Sequence, residues 1–272
     1  MPDASPVRGT QLIARSAVLL RLIANANHQG ARLVDLTYHS GLERPTVRRI
    51  LQGLIEQGLV RQHVSDRRYY LGMLVYELGL AAARGFDLAA IAAPSMDRIA
   101  RETEDTVYLV QRSGLDAVCI DRREGNFPVK VLTIDIGSRR PLGAAAGGLA
   151  ILAGLPPPER ALTMAANHSQ MESYEKLYGI PLDRAVDDAV TRGFALMPIN
   201  VVPYVSGVGM NIPSRSGTPH IALSVSALYS RIMEGHRYMA ISQMLRVEAQ
   251  KIANVLHGSG SNKAETLLIK SV

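Results

Sequence analysis

Apolar residues recur at helical spacing three times in the first sixty positions, and glycines punctuate them. Over 11–24, Leu12, Ala14, Val18, Leu19, Leu22 and Ile23 predict an amphipathic helix. A polar, glycine-ended stretch over 25–30 separates it from a short helix over 33–39. Gly41 ends that helix, because glycine tolerates the left-handed conformation of a C-terminal cap. A third helix is predicted over 45–57. Pro45 sits in its first turn, where a missing N–H costs nothing, and Gly58 terminates the far end. Helix, helix, glycine turn and helix form the helix-turn-helix layout. Extended runs over 59–63 and 69–71 flank Ser65-Asp66-Arg67-Arg68, a hairpin turn with two cations at its tip. That hairpin is the expected wing, closed by Gly72.

Beyond the wing, 73–84 predicts a short, strongly apolar helix. Gly85-Phe86-Asp87 breaks it before another helix over 88–102. Strands are expected over 106–112 and 117–121, paired around Ser113-Gly114-Leu115, and again over 129–134, 194–199, 208–212 and 220–225. Helices are expected over 157–166, 182–192 and 234–256, with a glycine- and alanine-rich loop entering a helix over 143–155. Strands in hairpin-like pairs with intervening helices argue an α+β fold with a mainly antiparallel sheet. The expected division is a DNA-binding domain over 1–72, a linker helix over 73–86, a second domain over 87–257 and a frayed tail over 258–272.

Charge changes the picture. The 272 residues carry a net charge of +6. Residues 1–85 hold eleven arginines and no lysine against six acidic residues, so nearly all the excess lies in the first third. Such asymmetry is the footprint expected for a polyanion partner. The single cysteine, Cys119, excludes an intrachain disulfide framework and any multi-cysteine zinc site. The first ten residues lack the apolar core of a secretory signal. No apolar run reaches the roughly 18–20 residues that span a bilayer. A cytoplasmic location without membrane contact is expected.

On a helical wheel of the third helix, Val47, Ile50, Leu51 and Leu54 share one face, and Pro45, Arg48, Arg49 and Gln52 share the opposite one. Arg44 and Thr46 flank its N-terminus. Arginine donates two hydrogen bonds to guanine and glutamine pairs with adenine in the major groove. The helix N-terminus and Thr46 suit a phosphate oxygen. Arg67 and Arg68 of the wing are expected to reach the DNA backbone or the minor groove.

The segments LVDLTYHSGLERPTVRRILQGLIEQGLV (33–60), RRYYLGMLVYELG (67–79), GSRRPLGAAAGGLAILA (137–153), SGVGMNIP (206–213) and IALSVSAL (221–228), in this order and spacing, resemble the IclR family of bacterial transcription regulators. The resemblance covers roughly residues 11 to 257. It implies a winged helix-turn-helix, a linker helix and a GAF-like α+β effector-binding domain. It also implies homodimers or dimers of dimers on palindromic double-stranded operators, and a small carboxylate effector. The effector positions it implies are Gly143, Ala144, Ala145, Ala146, Gly147, Asn200, Met210, Ser224 and Ser226. Small residues at the loop leave backbone N–H groups open to an anion, and the following helix adds its positive end. Ser224 and Ser226, two apart on a strand, face one side. The chain departs from the family pattern where Gly143 replaces a common histidine, Leu149 a common lysine and Met210 a frequent cysteine. Asn200-Val201-Val202-Pro203-Tyr204 stands where acidic residues are common. These changes make the pocket less polar, so an effector larger and more apolar than a two- or three-carbon acid, such as an aromatic acid, is expected.

No cofactor and no metal are expected. Gly143-Ala144-Ala145-Ala146-Gly147-Gly148 is neither a dinucleotide-binding fingerprint nor a phosphate-binding loop. There is no G-x-S-x-G, and the seven histidines lack metal-ligand spacing. Two alternatives stay open: a constitutive DNA-binding regulator with a degenerate effector domain, and, more remotely, a small-molecule enzyme.

Overall fold

The computed structural model describes residues 10–83, 88–197 and 204–258. The chain divides into two compact units, Met1–Arg84 and Gly85–Val272.

In the first unit, α1 (Gln11–Ala26), α2 (Leu33–Ser40) and α3 (Arg44–Glu56) pack around one apolar centre. Leu19 and Ile23 from α1, Leu36 from α2, and Val47, Ile50, Leu51 and Leu54 from α3 are all buried there. Gly41 takes φ 64°, so the α2–α3 turn needs the residue that carries no Cβ. The wing is β1 (Val60–Gln62) paired antiparallel with β2 (Tyr69–Leu71). Ala31 extends it, exchanging both backbone hydrogen bonds with Tyr69 at 2.9 Å. A further helix, α4 (Met73–Ala83), follows.

The second unit is α+β. Its helix α5 (Leu88–Thr103) leads into β3 (Thr106–Ser113), β4 (Asp116–Arg123) and β5 (Arg139–Pro141). Then come α6 (Ala146–Gly154), α7 (Pro157–Tyr178), α8 (Leu182–Arg192), β6 (Ala195–Met197), β7 (Val205–Asn211) and β8 (Ile221–Leu228). The short α9 (Tyr229–Met233) and the long α10 (Arg237–Gly258) close the unit. Six strands form one antiparallel sheet in the order β5-β4-β3-β8-β7-β6.

Strand alternation gives this sheet two faces. On one, Val107, Leu109, Val208, Leu223 and Val225 pack against α5, α9 and α10. On the other, Tyr108, Val110, Ala117, Cys119 and Ala222 pack against α6, α7 and α8. Burial on both sides explains why β7 and β8 are apolar or small nearly throughout. The second face is set by a backbone contact. A Cβ on Gly209 of β7 would lie 2.1 Å from the Ala146 carbonyl oxygen, so the first turn of α6 rests directly on the strand.

Three expectations need correction. Residues 129–134 are not a strand, although VKVLTI alternates. Side chains take its backbone groups instead: the Tyr108 hydroxyl donates to the Val131 carbonyl and accepts from the Thr133 N–H, both at 2.9 Å. The third strand along the chain in this unit is β5, at the sheet edge. Second, α7 runs on past residue 166, because its polar stretch still faces inward. Asn167 donates to the Leu115 carbonyl at 2.8 Å and Met171 is buried. Third, the helix over 234–256 is interrupted. Gly235 and His236 take φ 53° and 57°, and α10 starts at Arg237.

Gly209→Ala forces α6 away from β7. It is expected to destabilise the protein by about 1–3 kcal/mol, the range for overpacked cores, read as a lowered midpoint in urea unfolding. An unchanged midpoint would show that the contact yields freely.

Candidate functional site

The first candidate surface is the outer side of α3. The four apolar positions that share a face are buried, and Arg44, Pro45, Arg48, Arg49 and Gln52 are exposed, with Thr46 half-buried. Pro45 occupies the first turn, as its missing N–H allows. The Gln52 carboxamide donates to Glu56 at 3.2 Å, a solvent-exposed bond within the helix.

The two wing arginines differ. Arg67 is exposed at the hairpin tip with φ 56°, a conformation rare for a residue with a side chain. Two residues on the β1 side of the hairpin hold its backbone. Its carbonyl accepts from Gln62 at 2.9 Å and its N–H donates to the His63 carbonyl at 3.0 Å. Arg68 instead turns inward along the wing. Its Nη1 donates to the carbonyls of Gln29 and Gly30 at 2.9 and 3.1 Å, tying the hairpin to the turn that follows α1. Asp66 supports the turn through the Arg68 N–H at 2.9 Å, and that bond holds its carboxyl below the usual range.

The second candidate lies where α6 meets the sheet. A cavity of about 30 Å³ is lined by Tyr108 and Val110 of β3, Ala145 to Gly148 at the start of α6, and Ser224 and Ser226 of β8. Thr133, Ile134 and Arg140 complete its wall. Register explains the assembly: Tyr108 pairs with Ser224 and Thr106 with Ser226, so the two serines and the phenol share one sheet face. Both serines are at least nine-tenths buried, and neither hydroxyl makes a hydrogen bond among the described residues. The first-turn N–H groups of α6 have no carbonyl behind them within the helix. Burial pushes the Tyr108 phenol above its ordinary pKa.

Of the positions implied for an effector, the structure brings Ala145, Ala146, Gly147, Ser224 and Ser226 together. It separates three others from this cavity. Met210 pairs with Leu223, so strand alternation sends it to the opposite face, into the core with α5 and α10. Ala144 is fully buried in the core between α6 and the sheet, and its N–H donates to Pro141 at 3.0 Å. Gly143 opens onto a different hollow of about 350 Å³ between α7 and α8. That hollow is larger, and charged residues stand among its apolar ones. On its rim Arg192 is held by Asp188 at 3.3 Å and Glu175 by the Leu182 N–H at 3.0 Å, while Arg184 is exposed to solvent. The smaller cavity is the one whose leftover polar groups are buried. Asn200 lies outside the described residues, as does all of 198–203.

Tyr108, Thr133 and Arg140 escaped the sequence reading. Arg140 had a usable signal. In an edge strand, alternation sends Arg139 and Arg140 to opposite faces, and Arg140 pairs with Ala117, which faces α6. Among the described residues no three His, Cys, Asp or Glu side chains gather as metal ligands. None of the described helices is long and apolar enough to cross a membrane.

A three-helix unit with a basic wing, followed by an α+β unit enclosing a polar-lined cavity, defines the class: a DNA-binding regulator built on a winged helix-turn-helix. The family model for the bacterial transcriptional regulator IclR C-terminal domain matches residues 80–254, and that for the IclR helix-turn-helix domain matches 12–63. The chain belongs to the IclR family of bacterial transcriptional regulators. It is 26% identical over 228 residues to the HTH-type transcriptional regulator KipR of Bacillus subtilis, covering 82% of this chain and 88% of the relative. It is 24% identical over 255 residues to the HTH-type transcriptional repressor AllR of Klebsiella pneumoniae, covering 93% of each. An IclR homolog from Microbacterium hydrocarbonoxydans, solved in complex with 4-hydroxybenzoate, shares the fold with a TM-score of 0.66 at 20% identity. That match covers 91% of this chain and all of the other.

Cys119 is buried, and its thiol is pushed up to about 12 by that burial. A thiol is the poor nucleophile and the thiolate the reactive form. Iodoacetamide at pH 8 is therefore expected to leave Cys119 unmodified in the native protein and to label it fully in 6 M guanidinium, read by mass spectrometry.

Proposed function

We propose that this regulator reads its operator through the exposed face of α3, and that a small carboxylated metabolite in the cavity at α6 modulates that binding. One observation carries the first half. α3 buries a complete apolar stripe in its own unit and leaves two guanidiniums and a carboxamide outward. Arg48, Arg49 and Gln52 contact base edges, and Arg44, Pro45 and Thr46 seat the helix N-terminus on a phosphate. Arg67 meets the DNA backbone. Arg68 serves by holding the wing against the turn that follows α1, with its remaining donors toward the phosphates.

Residues 1–72 act as the DNA-binding domain, 73–86 as linker, 87–257 as effector domain and 258–272 as tail. Among the described residues of α4 none is buried, and Met73, Tyr76, Leu78 and Leu80 are all more than half exposed. Such a face supports a homodimer, or a dimer of dimers, on a palindromic operator.

The effector reading rests on the polar groups left over at the cavity. Its volume matches a carboxylate head, and its walls are otherwise apolar: Val110, Ile134, Ala145 and Ala146. A ring attached to that head needs the wall at Thr133 and Ile134 to move outward. That wall has no ladder hydrogen bonds to break. The 4-hydroxybenzoate complex of a family relative makes aromatic acids the first to try.

A footprint on the DNA beside the protein's own gene tests operator reading. Arg48→Ala and Arg49→Ala are each expected to cost about 1–3 kcal/mol on the protected site. Arg67→Ala is expected to reduce the slope of log affinity against log salt by about one. Equal losses on random DNA for all three contradict these roles. For the effector, benzoate, 4-hydroxybenzoate or pyruvate is expected to shift operator affinity in a concentration-dependent way. Operator affinity indifferent to every acid means a constitutive regulator.

A further inference from the structure

Most arginines held in the body of the second unit pair with a carboxylate, and Arg140 does not. Arg112 pairs with Glu159 at 2.6 Å, Arg122 with Asp135 at 3.2 Å and Arg123 with Asp121 at 2.7 Å. Arg231 and Arg237 share the buried Asp105, at 3.1 and 2.6 Å. Even Arg139, the neighbour of Arg140 on β5, is spent, on Asp116 at 3.1 Å and on the carbonyl and hydroxyl of Ser113. Arg140 has no carboxylate partner among the described residues. Its Nη2 donates to the Thr133 carbonyl, and its Nη1 is buried with no partner at all. That guanidinium lines the same cavity as the hydroxyls of Ser224 and Ser226.

A buried cation without a counter-charge is costly, and the cost falls when a carboxylate supplies both the charge and the acceptor oxygens. We infer that Arg140 binds the carboxylate of the effector through Nη1 and is the residue that makes this cavity select acids over neutral compounds; this rests on the effector reading above. Ser224 and Ser226 donate to the same head group. Their hydroxyls also accept, so they serve a neutral ligand as well as a charged one. Arg140 donates only and carries the charge, so it discriminates. Its bond to Thr133 passes the contact to the wall that closes the cavity.

The test compares acids with their amides on the full-length protein by calorimetry. The probes are benzoate with benzamide, 4-hydroxybenzoate with 4-hydroxybenzamide, and pyruvate with pyruvamide, each up to 10 mM. The wild type is expected to prefer one acid over its amide by about 30-fold, the range for a hydrogen bond to a charged group. Arg140→Gln keeps a donor for Thr133 and is expected to bring that preference to within threefold of unity. Arg140→Lys is expected to retain part of it, and thermal unfolding checks that both variants are folded. The acid-to-amide ratio is insensitive to a general loosening of the domain. An undiminished preference in folded Arg140→Gln overturns the role of Arg140 and leaves the effector reading standing. No acid binding to the wild type overturns both.

Discussion

The first turn of α6 rests on the backbone of β7 with no side chain between them, and the cavity exists because of that contact. Gly209 permits it, since any Cβ there collides with the Ala146 carbonyl. The contact fixes where the N-terminus of α6 sits above the sheet, and so which strand residues lie beneath it. Gly147 repeats the theme one residue on. A Cβ there would meet Val110 at 2.7 Å and the Ser224 hydroxyl at 3.3 Å. Small residues on α6 and β7 bring helix and sheet together around a small space whose polar side chains are Tyr108, Thr133, the two serines and Arg140. The polar lining is affordable because the surrounding elements are so thoroughly apolar: Leu142, Leu149, Ile151 and Leu152 are all fully buried beside it.

The N-terminal unit was nearly all legible in the sequence, and for a physical reason. Its first three helices bury one stripe each, so period and burial coincide, and its turns use residues with distinctive backbone preferences. Gly41 takes the left-handed conformation expected of it. The one surprise was Arg68, because a hydrogen bond from residue 68 to carbonyls at 29 and 30 leaves no local trace. The second unit was legible in class and less so in detail. Its sheet is buried on both faces, so β7 and β8 lose the alternation that would assign each residue a side. The face of Met210 followed only from its pairing with Leu223. Residues 129–134 erred in the opposite sense, alternating like a strand while bonding to side chains of Tyr108 and Arg140.

Arginine chemistry ties the two units into one physical account without reference to how they are arranged. The same side chain appears in three settings. On α3, Arg48 and Arg49 stand exposed to water, and in the function proposed above their partner is DNA. In the α+β unit, arginines such as Arg112, itself 4% exposed, are held by protein carboxylates and stabilise the domain. Pairing is the condition for that burial, because an unpaired guanidinium in a low-dielectric interior loses more hydration than it regains. Arg140 is the third setting, half sheltered and half satisfied.

That third setting separates a binding residue from a structural one. A structural arginine completes its bonds when the chain folds, so its contribution is already spent in the native state. Arg140 leaves one buried donor unspent, and the free energy it can release is released only when an acceptor arrives. Leaving a donor in that condition lowers the stability of the empty domain and raises the gain on binding by a corresponding amount. Because the other arm of the guanidinium holds the Thr133 carbonyl, the gain is not confined to the ligand. It is shared with a wall segment that owns no ladder hydrogen bonds and is tied to the domain through the side chains of Tyr108 and Arg140. In the reading proposed above, an acid entering here completes the electrostatics of the cavity and acts on its wall at the same time. Those are the two requirements for a ligand to favour one state of a domain over another.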